Sequence, residues 1–149
     1  MKRIAIVLAS VLVVSVMAGS AAAGGPGPGD PRIYRGETTD GGTVRFRVTR
    51  TDTGREIRGM LLETELNCDD GTTKPERLQL ADWGWTFEGR TAIVDENRPL
   101  YWGLRMVGQF RPASASGTLR YSWTQLLDNH TAQLCTTGDV EWSADRIMS

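Results

Sequence analysis

Lysine, histidine and cysteine are nearly absent from this sequence. Lys2 and Lys74 are the only lysines, His130 is the only histidine, and Cys68 and Cys135 are the only cysteines. A zinc site needs more cysteine or histidine ligands than these residues readily supply. A Cys-x-x-Cys redox pair and the G-x-S-x-G motif of a serine nucleophile are also absent. The sequence therefore lacks the residues for the most recognisable metal, redox and nucleophilic sites.

The sequence also lacks any segment of ten or more residues with a helical period. Alternation with a period of two is frequent instead, as in TVRFRVT (residues 43–49) and DVEWSA (residues 139–144). Such segments recur about every ten residues, with Gly, Pro or Asp turns between them. This pattern predicts an all-β fold, an antiparallel β-sandwich of about eight strands with Greek-key or jelly-roll-like connections.

The start of the chain has the three parts of a secretory signal peptide. A basic start and an apolar run lead to an A-x-A pattern that ends at Ala23, which predicts a signal peptide over residues 1–23. The alternative is a retained membrane anchor, but the second half of the uncharged stretch is small residues, Gly and Pro, which anchor poorly. GGPGPGDP then predicts a flexible Gly/Pro-rich leader over residues 24–41 and a single β-sandwich domain over residues 42–149.

The net charge of the predicted mature chain is negative. Removal of Lys2 and Arg3 lowers the Lys+Arg count from 17 to 15 against 18 acids, which gives a net charge of −3. A nucleic-acid or anionic-membrane partner would favour a basic excess, so we expect neither. The arginines alternate with acids along the sequence, and we expect no basic cluster. The predicted location is secreted, extracellular or at the cell envelope, with no membrane span after signal cleavage.

The two cysteines predict one structural disulfide. Cys68 ends a strand on its apolar face, and Cys135 precedes the final strand. In an exported chain, such a pair is most simply a disulfide. A loop of 67 positions would be closed, which stabilises by roughly 4 kcal/mol in the chain-entropy model.

Five tryptophans make the sequence rich in large aromatic side chains. Trp102, Trp123 and Trp142 each lie on the apolar parity of a strand, which favours a place in the core. Trp83 and Tyr101 are the two aromatic residues whose positions leave them free to be exposed. Exposed aromatic rings on a β-sandwich can stack on sugar rings, so Trp83 and Tyr101 are candidates for a ligand-binding surface.

No polar motif predicts catalysis or metal binding. Glu63 and Glu65 lie on the polar face of one strand, whereas the paired carboxylates of a glycosidase flank the bond from opposite sides. Asp69-Asp70-Gly71 and Asp95-Glu96-Asn97 are turn sequences without the spacing of a calcium-binding EF-hand loop. His130 is expected in a surface loop. We therefore predict no catalytic residue, no cofactor and no metal.

Three segments resemble a set of small exported bacterial proteins of uncharacterised function. They are SGTLRYSW (residues 116–123), CDDG (residues 68–71) and CTTGDVEWSA (residues 135–144). The set shares a signal peptide, a β-sandwich, two cysteines, an A-S-G-T-L-R strand and a closing C-x-x-G-x-x-x-W-x-A. The resemblance implies fold and export, and it implies no activity.

Taken together, these observations predict a non-catalytic secreted or envelope-associated β-sandwich protein. A carbohydrate-binding module that uses exposed aromatic residues is the alternative, and a glycosidase-like enzyme is a third hypothesis. The expected partner is an extracellular glycan or protein.

Overall fold

The computed structural model describes residues 31–98, 101–127 and 131–147. The predicted signal peptide, residues 24–30 of the predicted leader, and His130 lie outside these ranges. The described residues form nine antiparallel strands and no helix, and therefore contain no helix that could cross a membrane. The strands are β1 (Arg32–Thr38), β2 (Thr43–Thr51), β3 (Gly54–Cys68), β4 (Thr73–Phe87), β5 (Thr91–Arg98), β6 (Trp102–Phe110), β7 (Ser114–Leu126), β8 (Ala132–Thr136) and β9 (Val140–Ile147).

The strands belong to one continuous sheet with the order β4-β3-β2-β1-β9-β7-β6-β5, and β8 pairs with both β3 and β7. The predicted all-β antiparallel class is confirmed. The strands run up and down from β1 to β4 and again from β5 to β7, and β9 then returns to lie between β1 and β7. The two halves of the sheet face each other. The ring centroid of Phe110 on β6 lies 5.9 Å from that of Phe46 on β2 and 4.9 Å from that of Phe87 on β4.

The domain begins earlier than predicted. Arg32–Thr38, which falls inside the predicted flexible leader, forms β1, and β1 is hydrogen-bonded to β2 on one side and to β9 on the other. Its inward positions are Tyr34, Gly36 and Thr38. Only Tyr34 is a large apolar residue, so the strand lacks the apolar alternation by which the other strands can be identified.

β8 closes the sheet into a circuit. Neighbouring strands can be followed from β1 through β2, β3, β8, β7 and β9 back to β1. Cys135 of β8 lies directly opposite Cys68 of β3 and also opposite Trp123 of β7. The two cysteines are joined by a disulfide with an S–S distance of 2.01 Å, which confirms the predicted pair. The disulfide thereby links β8, the strand before the last, to β3 in the first half of the fold.

A β-bulge at Gly59 changes which residues of β3 point inward. The pairing register shifts between Arg58 and Met60 on the β4 side of β3, and between Arg45 and Arg47 on the β2 side. Gly59 has a φ of +58°, a left-handed conformation that costs other L-residues roughly 1–2 kcal/mol. The extra residue lets Ile57 and Met60 both reach the core although they are three positions apart.

The interior opposite the bulge is an aromatic cluster. Tyr34, Phe46, Phe110 and Trp142 are all buried, and their ring centroids lie 5.5–6.5 Å apart in the contacting pairs. Trp142 is 2% exposed, and its indole Nε1 donates a hydrogen bond of 3.2 Å to the carbonyl of Thr118. The prediction that Trp142 lies in the core is confirmed.

Replacement of Trp142 by alanine should lower the free energy of unfolding by about 3–5 kcal/mol, because it leaves a large cavity among buried rings. Urea unfolding measures this loss. Tyr101→Ala is the matched control, since Tyr101 is 69% exposed and its removal should change stability by about 0.5 kcal/mol or less. Equal stability of Trp142→Ala and wild type would contradict the assigned register of β9.

The double substitution Cys68→Ser and Cys135→Ser should lower the free energy of unfolding by roughly 4 kcal/mol, because the unfolded chain regains the entropy of a 67-residue loop. Thiol titration of the denatured, unreduced wild-type protein checks the starting point and should find no free thiol. Two reactive thiols per chain would show that the bridge does not form in the protein.

Candidate functional site

The two ends of the strand order face each other without pairing. β4 and β5 follow one another in the sequence, yet no ladder joins them among the described residues. Side chains fill the gap instead: Trp85 of β4 donates a hydrogen bond of 2.9 Å from its indole Nε1 to Oε1 of Glu96 on β5. We call the gap the seam. We use the name seam cluster for Trp83, Trp85, Glu96, Arg98 and Trp102.

The aromatic rings of the seam cluster contact one another at an angle. The Trp83 centroid lies 5.3 Å from that of Trp102, with an interplanar angle of 64°, and 6.2 Å from that of Trp85, at 37°. The guanidinium carbon of Arg98 lies 5.2 Å from the Trp83 ring centroid, within the range of a cation–π contact. The three indoles are only partly buried. Apolar ring surface and charged groups therefore meet where solvent can enter.

The tryptophans reach the seam because the inward-pointing positions of β4 change partway along the strand. Leu78 and Leu80 point inward in the first half of the strand, and Trp83, Trp85 and Phe87 do so in the second half. The change from even to odd positions coincides with the register shift at Arg58/Met60 of β3. A long strand can in this way send leucines into the core and tryptophans to the seam.

The two aromatic surface candidates take different places. Trp83 is half-buried inside the seam cluster and forms no flat exposed platform with Trp85. Tyr101 is largely exposed and lies at the start of β6, where its carbonyl accepts a hydrogen bond of 2.8 Å from the backbone N–H of Thr124. The structure thus brings Trp83 together with other aromatic residues and leaves Tyr101 outside that cluster.

Trp102 and Trp123 differ from the sequence expectation. Both have the predicted inward parity and lie directly opposite each other on β6 and β7. Both are only half-buried, whereas the sequence predicted core positions. For Trp102 the physical reason is the seam, because Trp102 contacts Trp83 there and its neighbour β5 has no ladder to β4. Trp123 is paired with β6 on one side and β8 on the other, and the seam does not explain its half-burial.

A polar group lies between the layers at the end of the sheet where β8 pairs. Lys74 Nζ on β4 donates hydrogen bonds of 2.6 Å to Gln133 Oε1 on β8 and 3.5 Å to Gln125 Oε1 on β7. Gln133 is only 3% exposed. Buried polar groups are tolerated because they are hydrogen-bonded, and here three strands supply the partners. No sequence pattern indicated that these three residues meet, although Lys74 is the only lysine after the predicted signal peptide.

Tyr121 adds a buried hydroxyl near the same end. Burial, assisted by the negative charge of Glu76 on β4, raises the pKa of Tyr121 to about 12. The ionised phenolate is therefore disfavoured in the folded protein. The interior is thus apolar around Trp142 and distinctly more polar around Lys74, Glu76 and Tyr121.

The acidic candidates do not converge on a site. Glu63 and Glu65 both point outward from β3, and Glu63 forms an exposed ion pair of 3.5 Å with Arg77. Asp70 accepts hydrogen bonds of 2.9 and 2.6 Å from the backbone N–H and hydroxyl of Thr72, as expected of a turn residue. Within the described ranges, no group of three or more His, Cys, Asp and Glu residues could hold a metal ion.

No protein-family model, curated protein or solved structure matches this chain. The resemblance to small exported bacterial β-sandwich proteins is therefore supported only in its coarse part, a multi-stranded all-β sheet with one disulfide.

The pKa of Tyr121 can be tested by difference titration of phenolate absorbance. The wild-type curve minus that of Tyr121→Phe should show one group with a midpoint near pH 12, compared with the ordinary value near 10. Because the folded pKa is raised, stability from this group is fully present below about pH 10 and is lost as the pH rises toward 12. A midpoint near pH 10 would mean that the phenol is solvated in the folded protein.

Proposed function

We propose that this protein is an exported, non-catalytic module that binds carbohydrate at the seam cluster. One observation carries the proposal: partly buried indoles, a carboxylate and a guanidinium lie together in the seam cluster. In the described part of the chain, the seam is the only place where two strand edges face each other without a ladder. Ligand sites typically combine aromatic surface with a few convergent polar groups, and the seam cluster has both.

The chemistry of the seam cluster suits a sugar. The C–H faces of a pyranose ring pack on indole surface, which Trp83 and Trp102 supply in part, and the sugar hydroxyls need both donors and acceptors. Arg98 offers N–H donors, since its guanidinium contacts the Trp83 ring but forms no hydrogen bond or ion pair with another described residue. Glu96 offers acceptor oxygens, one of which already receives the Trp85 N–H.

The arrangement of carboxylates supports binding rather than hydrolysis. Glycosidases use two carboxyl groups that face each other about 5–9.5 Å apart across the scissile bond. Glu96 is engaged by Trp85, and Glu63 and Glu65 point outward from another strand. Export is supported by the disulfide, because such bonds persist in oxidising compartments outside the cytosol.

The proposal predicts that the mature protein binds saccharides on a glycan array and releases no reducing sugar from them. Trp83→Ala combined with Trp102→Ala should weaken the affinity for the best saccharide about tenfold or more, equivalent to about 1.4 kcal/mol, because ring contact is lost. Isothermal titration calorimetry measures the change.

Tyr101→Ala is the control for this experiment, because Tyr101 precedes Trp102 in the chain but lies outside the seam cluster. Near-UV circular dichroism confirms that each variant is folded. An array without a saccharide ligand would contradict the proposal, and so would an equal loss of affinity in Tyr101→Ala.

A further inference from the structure

Four arginines form a row on the outer face of three adjacent strands. Arg35 of β1 lies directly opposite Arg45 of β2, and Arg47 of β2 lies directly opposite Arg58 of β3. All four are exposed. We call them the arginine row. The sequence predicted no basic cluster, and this expectation is wrong, because the pairing register brings together arginines that are separated by acids along the chain.

The row is unfavourable by itself. Like charges placed directly opposite each other destabilise a sheet. The described register contains four such arginine pairs, and two of them are next to each other in the row. Of the four arginines, only Arg58 forms an ion pair with a described residue, at 2.7 Å to Glu56, while Asp145 of β9 lies opposite Arg35 in the register. Arg45 and Arg47 form no ion pair with a described residue. A predicted mature chain with a net charge of −3 thus concentrates positive charge at one place.

The row is a diagonal step across three strands, and part of it is fixed. Opposite residues lie about 5 Å apart across the strands, and Arg45 and Arg47 lie about 7 Å apart along β2, so about 12 Å separates Arg35 from Arg58. Glu56 holds Arg58, and the Arg47 guanidinium lies over the bulge, where a Cβ on Gly59 would come within 2.9 Å of its Nη2. Two of the four side chains are therefore oriented before any ligand binds.

We propose that the arginine row binds a linear polyanion, a polymer whose carboxylate, sulfate or phosphate groups repeat along one chain. Guanidinium groups form bidentate hydrogen bonds with these oxyanions, and they do so better than lysine. A ligand that neutralises the row also removes the repulsion between Arg35 and Arg45 and between Arg47 and Arg58. The proposal depends on other residues than the seam cluster and does not require sugar binding there.

The surroundings of the row favour a linear polymer over a membrane or a nucleic acid. Membrane surfaces are bound by basic residues together with inserted apolar side chains. Next to the row, Ile33 and Leu61 are half-buried, and a single exposed apolar side chain, Ile147 of β9, lies opposite Ile33. Single-stranded nucleic acids stack their bases on aromatic side chains, but the aromatic residues of these strands, Tyr34 and Phe46, are buried.

The test measures binding of the mature protein to three polymers, polyuronate, heparin and inorganic polyphosphate, at about 50 mM NaCl and again at higher salt. The three arms distinguish carboxylate, sulfate and phosphate. We expect binding to at least one polymer, with affinity that falls steeply as salt is added. Arg45→Gln combined with Arg47→Gln should lower this affinity about tenfold or more.

Arg77→Gln combined with Arg105→Gln is the matched control, since it changes the net charge equally at exposed positions outside the row and should lower affinity by about twofold or less. Urea unfolding should place the row variant at or above the wild-type midpoint, because repulsion is relieved. The proposal is overturned by an absence of polymer binding, by equal losses in both variants, or by binding only to anionic phosphatidylglycerol vesicles or single-stranded DNA. A lower midpoint with unchanged affinity also overturns it, because the arginines would then be structural.

Discussion

The pairing of β8 with both β3 and β7 is the constraint on which this fold depends. In the strand order, β2, β1 and β9 separate β3 from β7, and in a flat sheet the two strands would lie about 19 Å apart. β8 can pair with both only if they approach to about 10 Å, so the sheet must curl. Curling brings the two halves face to face and creates an interior in which Phe46 and Phe110 meet. The Cys68–Cys135 bond fixes this closure covalently, at the point where β8 lies between β3 and β7.

The sheet closes through β8, and the outer edges of its two terminal strands, β4 and β5, have no ladder between them. Unpaired strand edges invite association with other chains, and proteins usually cover or charge them. Here Trp85–Glu96 and Arg98–Trp83 contacts cover them with side chains. Side chains can move apart or rearrange at a lower cost in free energy than a backbone ladder can. They also present aromatic rings and charged groups, which a backbone ladder does not. The residues of the seam cluster thus both cover the strand edges and form the proposed ligand site.

Much of the fold follows from local sequence patterns, whereas the candidate sites depend on pairing. Alternation predicts an all-β fold, and the two cysteines together with the predicted signal peptide predict the disulfide. β1 was missed because Gly36 and Thr38 occupy inward positions that carry no apolar signal. The half-burial of Trp102 was missed because parity shows the direction of a side chain and not whether the interior beside it is covered.

The arginine row shows the same limit more sharply. Arg45 and Arg47 are visible in the sequence as two outward residues of one strand. Their partners Arg35 and Arg58 lie ten and eleven positions away from them, and only the register, including the bulge at Gly59, places them opposite. Net charge cannot reveal such a cluster, because at physiological salt charges act over only about 8 Å.

The register also relates the row to the seam. Arg58, the last residue of the row, lies opposite Gly84 of β4, between Trp83 and Trp85. Glu56, the partner of Arg58, extends over that glycine, since a Cβ on Gly84 would lie 2.2 Å from Glu56 Oε1. The direction across β1, β2 and β3 that joins the four arginines therefore continues to the strand that carries the indoles. The row and the seam cluster nevertheless lie on opposite faces of the sheet, because Arg58 points outward from β3 whereas Trp83 and Trp85 point inward from β4. The two proposed sites are therefore neighbours across β4 that a ligand would reach from different sides, and each stands on its own residues.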